Sequence, residues 1–161
     1  MSPLRPLRVF LGIVAVLTFA SCERPTGPPD GLDVSVALAM DVIRAGEIMD
    51  ITVTAVNHGT RAVTVHHNGC LGPQGPFVVT SPAGKVVGPR GQICSLAALP
   101  GVDVPPGEQF VIHTQWDGTS AEGEVGRAPA FLEPDEYLLR GQIMTSQAMV
   151  RSDPVAVTVA E

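Results

Sequence analysis

The cysteines have the widest range of chemistry in this chain, and there are three of them: Cys22, Cys70 and Cys94. A cysteine sulfur can carry a lipid, close a disulfide or, as a thiolate, bind a metal. Disulfides persist in oxidising compartments and are rare in the cytosol. The sequence around each cysteine, and the compartment that it indicates, therefore decide which chemistry to expect.

The segment before Cys22 has the three parts of a secretory signal peptide. Arg5 and Arg8 give it a basic start, residues 9–19 are almost wholly apolar, and the small residues Ala20 and Ser21 follow. This order predicts export, with a signal peptide over residues 1–21. The apolar run is shorter than the roughly 20 residues that a membrane-spanning helix needs.

The sequence Phe19-Ala20-Ser21-Cys22 resembles the lipobox of bacterial lipoproteins. The resemblance implies cleavage before Cys22, two acyl chains on its thiol and a third on the new amino group. Two or more chains anchor a protein stably, whereas one does not. A plainly cleaved signal peptide and an uncleaved anchor are the alternatives.

Residues 22–31 follow as a proline-rich tether with Pro25, Pro28 and Pro29, a composition typical of extended spacers. Glu23 stands where an aspartate would resemble an inner-membrane retention signal. In a Gram-negative host, the outer membrane is therefore the favoured location of this exported, lipid-anchored protein.

Cys70 and Cys94 remain as an even pair once Cys22 carries lipid. Export favours a disulfide between them. The loop from 70 to 94 has 25 residues, so closing it stabilises the fold by about 3.5 kcal/mol in the chain-entropy treatment. Two reduced thiols, or a pair of metal ligands, are the alternatives.

The charge of the chain is acidic. The formal net charge is −6 from 10 basic and 16 acidic residues, and removal of Arg5 and Arg8 with the signal leaves 8 − 16 = −8. This balance argues against nucleic acid and anionic lipid surfaces as partners, since both require basic patches. The 140 residues that remain (161 − 21) fit one domain, which we predict over 32–161.

Short alternating segments separated by Gly and Pro predict an all-β fold. The inward positions begin with Val34, Val36 and Leu38 and end with Val157 and Val159. Asn57 to Thr60 is a predicted turn, with Ala62 to His67 returning as the hairpin partner and Val63 and Val65 inward. Phe77 to Thr80 and Lys85 to Val87 form a second predicted hairpin, whereas 96–106 is an apolar surface-loop candidate that could dock a partner or cover the core. About seven to eight strands indicate an immunoglobulin-like antiparallel β-sandwich.

Three segments carry a family resemblance: RAGEIMDITVTAVNHGTRAVTV at 44–65, VPPGEQFVIHTQWDG at 104–118 and LEPDEYLLRGQI at 132–143. Together they resemble the intracellular proteinase inhibitor (BsuPI) family of immunoglobulin-like sandwiches. The resemblance implies that Trp116 fills the core between the sheets and that Tyr137 forms a tyrosine corner. It also implies proteinase inhibition. Asp135-Glu136, where the family tends to have Gly, and the pair Cys70 and Cys94 depart from its pattern.

The sequence contains no nucleophile elbow, zinc-protease motif, phosphate-binding glycine loop or Cys-x-x-Cys pair. We therefore predict a protein that is not an enzyme and that has no cofactor and no resident metal. The metal alternative uses His67 with Cys70 or Cys94 at a strand end. His66 and His67 point to opposite faces of a strand and cannot easily share an ion.

These features predict a non-catalytic binding module anchored in the cell envelope. A BsuPI-type proteinase inhibitor and a metal-binding envelope protein are the alternatives. For inhibition, the candidate protease-facing loop contains Pro89, Arg90 and Gly91. A disulfide at Cys94 would fix one end of this loop and so lower the entropic cost of ordering it on binding. The expected partners are the membrane, through the lipid, and an envelope protein or protease. The oligomeric state is left open.

Overall fold

The computed structural model describes residues 31–66, 75–89, 101–121 and 130–161, and these residues form an immunoglobulin-like β-sandwich. The predicted fold class is confirmed. Eleven strands lie in the described ranges, and no described residue belongs to a helix that is long and apolar enough to cross a membrane.

The smaller sheet has three strands in the order β1-β3-β8. Their bounds are β1 Leu32–Leu38, β3 Met49–Asn57 and β8 Gln109–Trp116. Both pairings are antiparallel and run without a register shift. The sequence produces these strands because apolar and polar residues alternate, so that one face is buried and the other is solvated.

The larger sheet is built on β9, an eleven-residue strand at Asp135–Thr145. Its central order is β2-β11-β9-β4-β7, with β10 and β5 also paired to β9 and β6 paired to β5. The bounds are β2 Val42–Arg44, β4 Val63–His66, β5 Phe77–Thr80, β6 Val86–Gly88, β7 Gly101–Val104, β10 Met149–Arg151 and β11 Val155–Ala160.

The core lies between the two sheets. Trp116 and Phe77 meet edge to face, with ring centroids 6.4 Å apart, and both are almost fully buried. Gly141 of the larger sheet lies close against the smaller sheet, since an added Cβ would lie 3.0 Å from Val53 and 3.1 Å from Val36. Fully buried Ile, Leu and Met side chains complete this core: Leu32, Ile43, Met49, Ile51, Leu139 and Ile143.

The predicted hairpin after Asn57 is wrong in its pairing. β3 pairs with β1 and β8, whereas β4 lies in the larger sheet and pairs with β7 and β9. The inward positions of Val63 and Val65 are as predicted. The alternation of β4 shows which side chains are buried but does not show in which sheet the strand lies.

The buried side chain of Asn57 holds this crossing in place. Its Nδ2 donates to the carbonyls of Arg61 and Val104, each at 2.8 Å, and its Oδ1 accepts from the Gly59 amide at 2.9 Å. Asn57 is 0% exposed. One side chain therefore links the end of β3 to the connection that precedes β4 and to the end of β7.

The strand count and one pairing direction also differ from the prediction. β2, β7 and β10 are three or four residues long, and each contains one buried residue, so no alternation reveals them. β7 lies inside the segment that was expected to be a surface loop, with Val104 buried.

β2 pairs in parallel with β11, so the sandwich is not wholly antiparallel. The second predicted hairpin is present as β5 and β6.

Tyr137 lies near the start of β9 and is 7% exposed. Its hydroxyl donates to the Glu133 carbonyl oxygen at 2.9 Å, four residues upstream, in the geometry of a tyrosine corner. Burial raises the pKa of the phenol above its ordinary value, and the Asp135 and Glu133 carboxylates raise it further.

Because the chain has one tyrosine, an absorbance titration of tyrosinate reports Tyr137 alone. We expect it to ionise above pH 10 in the folded protein and near pH 10 in denaturant. The raised pKa stabilises the folded state fully below about pH 10 and no longer does so once the pH exceeds the folded pKa.

Asp135→Asn should lower the folded pKa of Tyr137, whereas Glu161→Gln, at the chain end, should leave it unchanged. Identical titrations of the folded and denatured proteins would contradict this description of Tyr137.

Candidate functional site

All three cysteines of the sequence lie outside the described residues. Cys22, Cys70 and Cys94 all fall there, so their lipidation and pairing stay predictions. Arg90 and Gly91 of the candidate protease-facing loop fall there as well.

Pro89 is the described residue of that loop, and it is buried. The adjacent Gly88 is also buried, and an added Cβ there would lie 2.9 Å from the Thr119 carbonyl oxygen and 3.8 Å from the Trp116 ring. The start of the loop is thus packed against the core. Pro89 itself is therefore not open to a protease.

The described histidines lie on separate elements. His58 is exposed in the connection after β3, His66 is half-buried at the end of β4, and His113 is exposed on β8. Within the described ranges, no three His, Cys, Asp or Glu side chains are close enough together to hold a metal. The residues of the metal hypothesis, His67, Cys70 and Cys94, lie outside those ranges.

The surface that the structure does bring together is the solvent side of the three-stranded sheet, which we call the outer face. Period-two alternation places it opposite the core. Its members are exposed or half-buried: Asp33, Ser35, Ala37, Asp50, Thr52, Thr54, Val56, Gln109, Val111, His113 and Gln115.

Cross-strand hydrogen bonds order the outer face. Gln115 Nε2 donates to Asp50 Oδ1 at 2.8 Å, and the Thr52 hydroxyl and His113 Nδ1 form a hydrogen bond of 3.2 Å. These four side chains also line a shallow depression. Such pairs stabilise a sheet by a few tenths of a kcal/mol to about 1 kcal/mol each. They present amide, hydroxyl and imidazole groups in fixed positions.

The charge of this sheet has one sign. β1, β3 and β8 contain no Lys or Arg, and their charged residues are Asp33 and Asp50. Exposed Glu108 directly precedes β8, and half-buried Asp117 follows it. The outer face and its border are therefore acidic.

β8 forms one border of this face. All its outward residues are exposed, and Val111 is 37% exposed, whereas Thr52, Thr54 and Val56 on the middle strand are half-buried. Among the described residues, β8 pairs with β3 alone. The sequence of β8 does not show its place at the edge of a sheet, because neighbouring strands are set by tertiary pairing.

Comparison with known proteins gives similarity of fold alone. No protein-family model matches the sequence, and no curated protein matches it, so membership of the BsuPI family stays a prediction. Among solved structures, the CARDB domain of the PF1109 protein from Pyrococcus furiosus matches with a TM-score of 0.43 and 13% identity, over 80% of this chain and 85% of that one.

Two further structures are larger than the matched region. Spo0M, a sporulation control protein from Bacillus subtilis, matches with a TM-score of 0.48 and 11% identity, over 81% of this chain and 50% of that one. A β-glucosidase from Erythrobacter marinus matches with a TM-score of 0.45 and 16% identity, over 80% of this chain and 15% of that one. Such identities do not transfer function.

Gly88→Ala should disturb the core through the packed start of the candidate loop. Its Cβ would meet the Thr119 carbonyl, which accepts the Trp116 Nε1–H at 3.2 Å. We expect a loss of stability of about 1–3 kcal/mol and a changed emission spectrum of Trp116, the one tryptophan of the chain.

Gly84→Ala is the control in the same hairpin. Gly84 has a φ of +82°, so alanine strains the backbone there, but an added Cβ meets no atom within 4 Å. This variant should lose stability without changing the Trp116 emission. If Gly88→Ala also leaves the emission unchanged, the packing described for Gly88 is wrong.

Proposed function

We propose that this protein is a non-catalytic, lipid-anchored binding module of the cell envelope. The observation that supports the proposal is the position of Gly31, the last residue of the predicted tether. The Gly31 carbonyl accepts the His58 amide at 2.9 Å, and the next residue, Leu32, is 0% exposed. A tether over residues 22–31 would therefore join the domain beside the end of β3.

The tether would join the sandwich at one end. Leu32 pairs with Asn57 at the end of β3, and Val56 pairs with Gln109 at the start of β8. The start of β1, the end of β3 and the start of β8 therefore share this end, which we call the tether end. β8 runs from it toward the opposite end for about 27 Å, at 3.4 Å per residue.

This arrangement supports a binding role beside a membrane. An anchor at the tether end would leave β8 and the outer face on the side of the domain, open to other envelope proteins. The ordered polar groups of the outer face suit recognition of a polypeptide, because hydrogen bonds and electrostatic complementarity fix register and specificity. A tethered partner would also be held at high effective concentration.

Cys22→Ala tests the anchor in the full chain, expressed in a bacterium that processes lipoproteins. We expect the wild-type protein to partition into detergent with the mass of residues 22–161 plus acyl chains. The variant should lose the acyl chains and leave the detergent phase, because the acyl chains supply the membrane affinity.

The matched control is the double variant Cys70→Ala/Cys94→Ala, which keeps Cys22 and should stay in the detergent phase. In the wild-type protein, a mass two hydrogens below that of the reduced form would identify the disulfide. An intact chain of 161 residues without acyl groups would contradict the proposed anchor.

A further inference from the structure

The edge of β8 that no other described strand pairs with has a defined set of backbone groups pointing away from the sheet. The Asn57 amide donates to Glu108 O at 3.0 Å, and the Gly107 amide donates to Asn57 O at 2.7 Å, so Asn57 faces β8. The Ala39 amide donates to Asp50 O at 3.0 Å, so Asp50 faces β1. Backbone groups of successive residues point to opposite sides of a strand.

The odd-numbered residues of β3 therefore face β8, and their partners on β8 are its even-numbered residues. It follows that the amides and carbonyls of Gln109, Val111, His113 and Gln115 point outward along the edge. Four residues offering one donor and one acceptor each form a ladder that can accept another extended strand.

β8 itself lacks four of the devices that commonly protect an edge strand. Proteins block such edges with Lys, Pro, bulges or short length, among other means. The sequence QFVIHTQW contains no Lys, Pro or Gly, has eight residues, and pairs with β3 without a register shift. A strand with these properties can accept a further strand along its edge.

From this geometry we infer that β8 binds an extended, positively charged peptide segment of another protein by strand addition. The charge of the partner follows from the surroundings: Glu108 and Asp117 lie at the two ends of β8, Asp50 lies on the next strand, and the sheet has no Lys or Arg. A peptide with basic residues near its ends would meet these carboxylates.

A second copy of the chain fits the same edge less well. Antiparallel pairing of β8 with itself about Ile112 would place Glu108 of one copy beside Trp116 and Asp117 of the other. That register brings like charges together between two molecules, each of net charge −8 once the signal is removed. The acidic border therefore favours a basic partner over self-pairing.

This inference deepens the proposed function, on which it rests, by stating the partner class. The probe is a fluorescent nine-residue peptide of alternating threonine and valine with lysine at both ends, titrated with the full chain purified in detergent. We expect saturable binding that weakens as salt is added, because the charges are exposed. The same peptide with proline at alternate positions keeps its charge but loses ladder donors, so its Kd should rise at least tenfold.

Val111→Pro removes one outward amide without removing a hydrogen bond to β3, and proline is tolerated at such edge positions. It should raise the Kd of the lysine peptide at least tenfold, whereas Val111→Thr, which keeps the amide, should change it less than twofold. An unchanged Trp116 emission spectrum would show that Val111→Pro is folded.

Each other result overturns the inference. No binding of the lysine peptide, or equal binding of the proline peptide to the wild-type protein, would exclude strand addition at β8. A dimer that Val111→Pro dissociates would assign the edge to a second copy. The anchor is tested separately by mass, so an unacylated chain would contradict the proposed function and leave the peptide result standing.

Discussion

The fold depends on the hydrogen bonds of one fully buried side chain, Asn57. It ends β3, bonds to the carbonyls of Arg61 and Val104 and accepts from Gly59. A buried polar group left without partners costs about 1–3 kcal/mol, so these three bonds favour this path of the chain. They direct the segment after β3 across to the larger sheet, which leaves β8 free to pair with β3.

The same crossing sets where a partner can approach. Because β4 joins the larger sheet, β3 pairs with β8 along its whole length, and the far side of β8 becomes an edge among the described residues. Gly31 lies at the same end of the domain as Asn57. The end of the predicted tether, the crossing after β3 and the start of β8 therefore lie together at this end. The outer face lies on the side of the domain.

The alternation of apolar and polar residues predicted which faces of several strands are inward. The pairing of strands distant in sequence determined the sheet to which each strand belongs. The alternation in β1 and β11 predicted the inward positions, because burial has the period of the strand. Val34, Val157 and Val159 are buried there, and Val36 and Leu38 are half-buried. Alternation could not assign β4 to a sheet, since Val63 and Val65 are buried in either one. Strands with a single buried residue, such as β2, leave no pattern. The outer face was not predicted as a site because its polar residues form no recognisable sequence motif and are brought together only by strand pairing.

Amide hydrogen exchange of the isolated protein tests whether β8 is an edge with outward backbone groups. We expect slow exchange at Phe110, Ile112, Thr114 and Trp116, which face β3, and fast exchange at Gln109, Val111, His113 and Gln115. Equal protection of both sets would show that another segment already pairs with β8, and it would contradict an open edge.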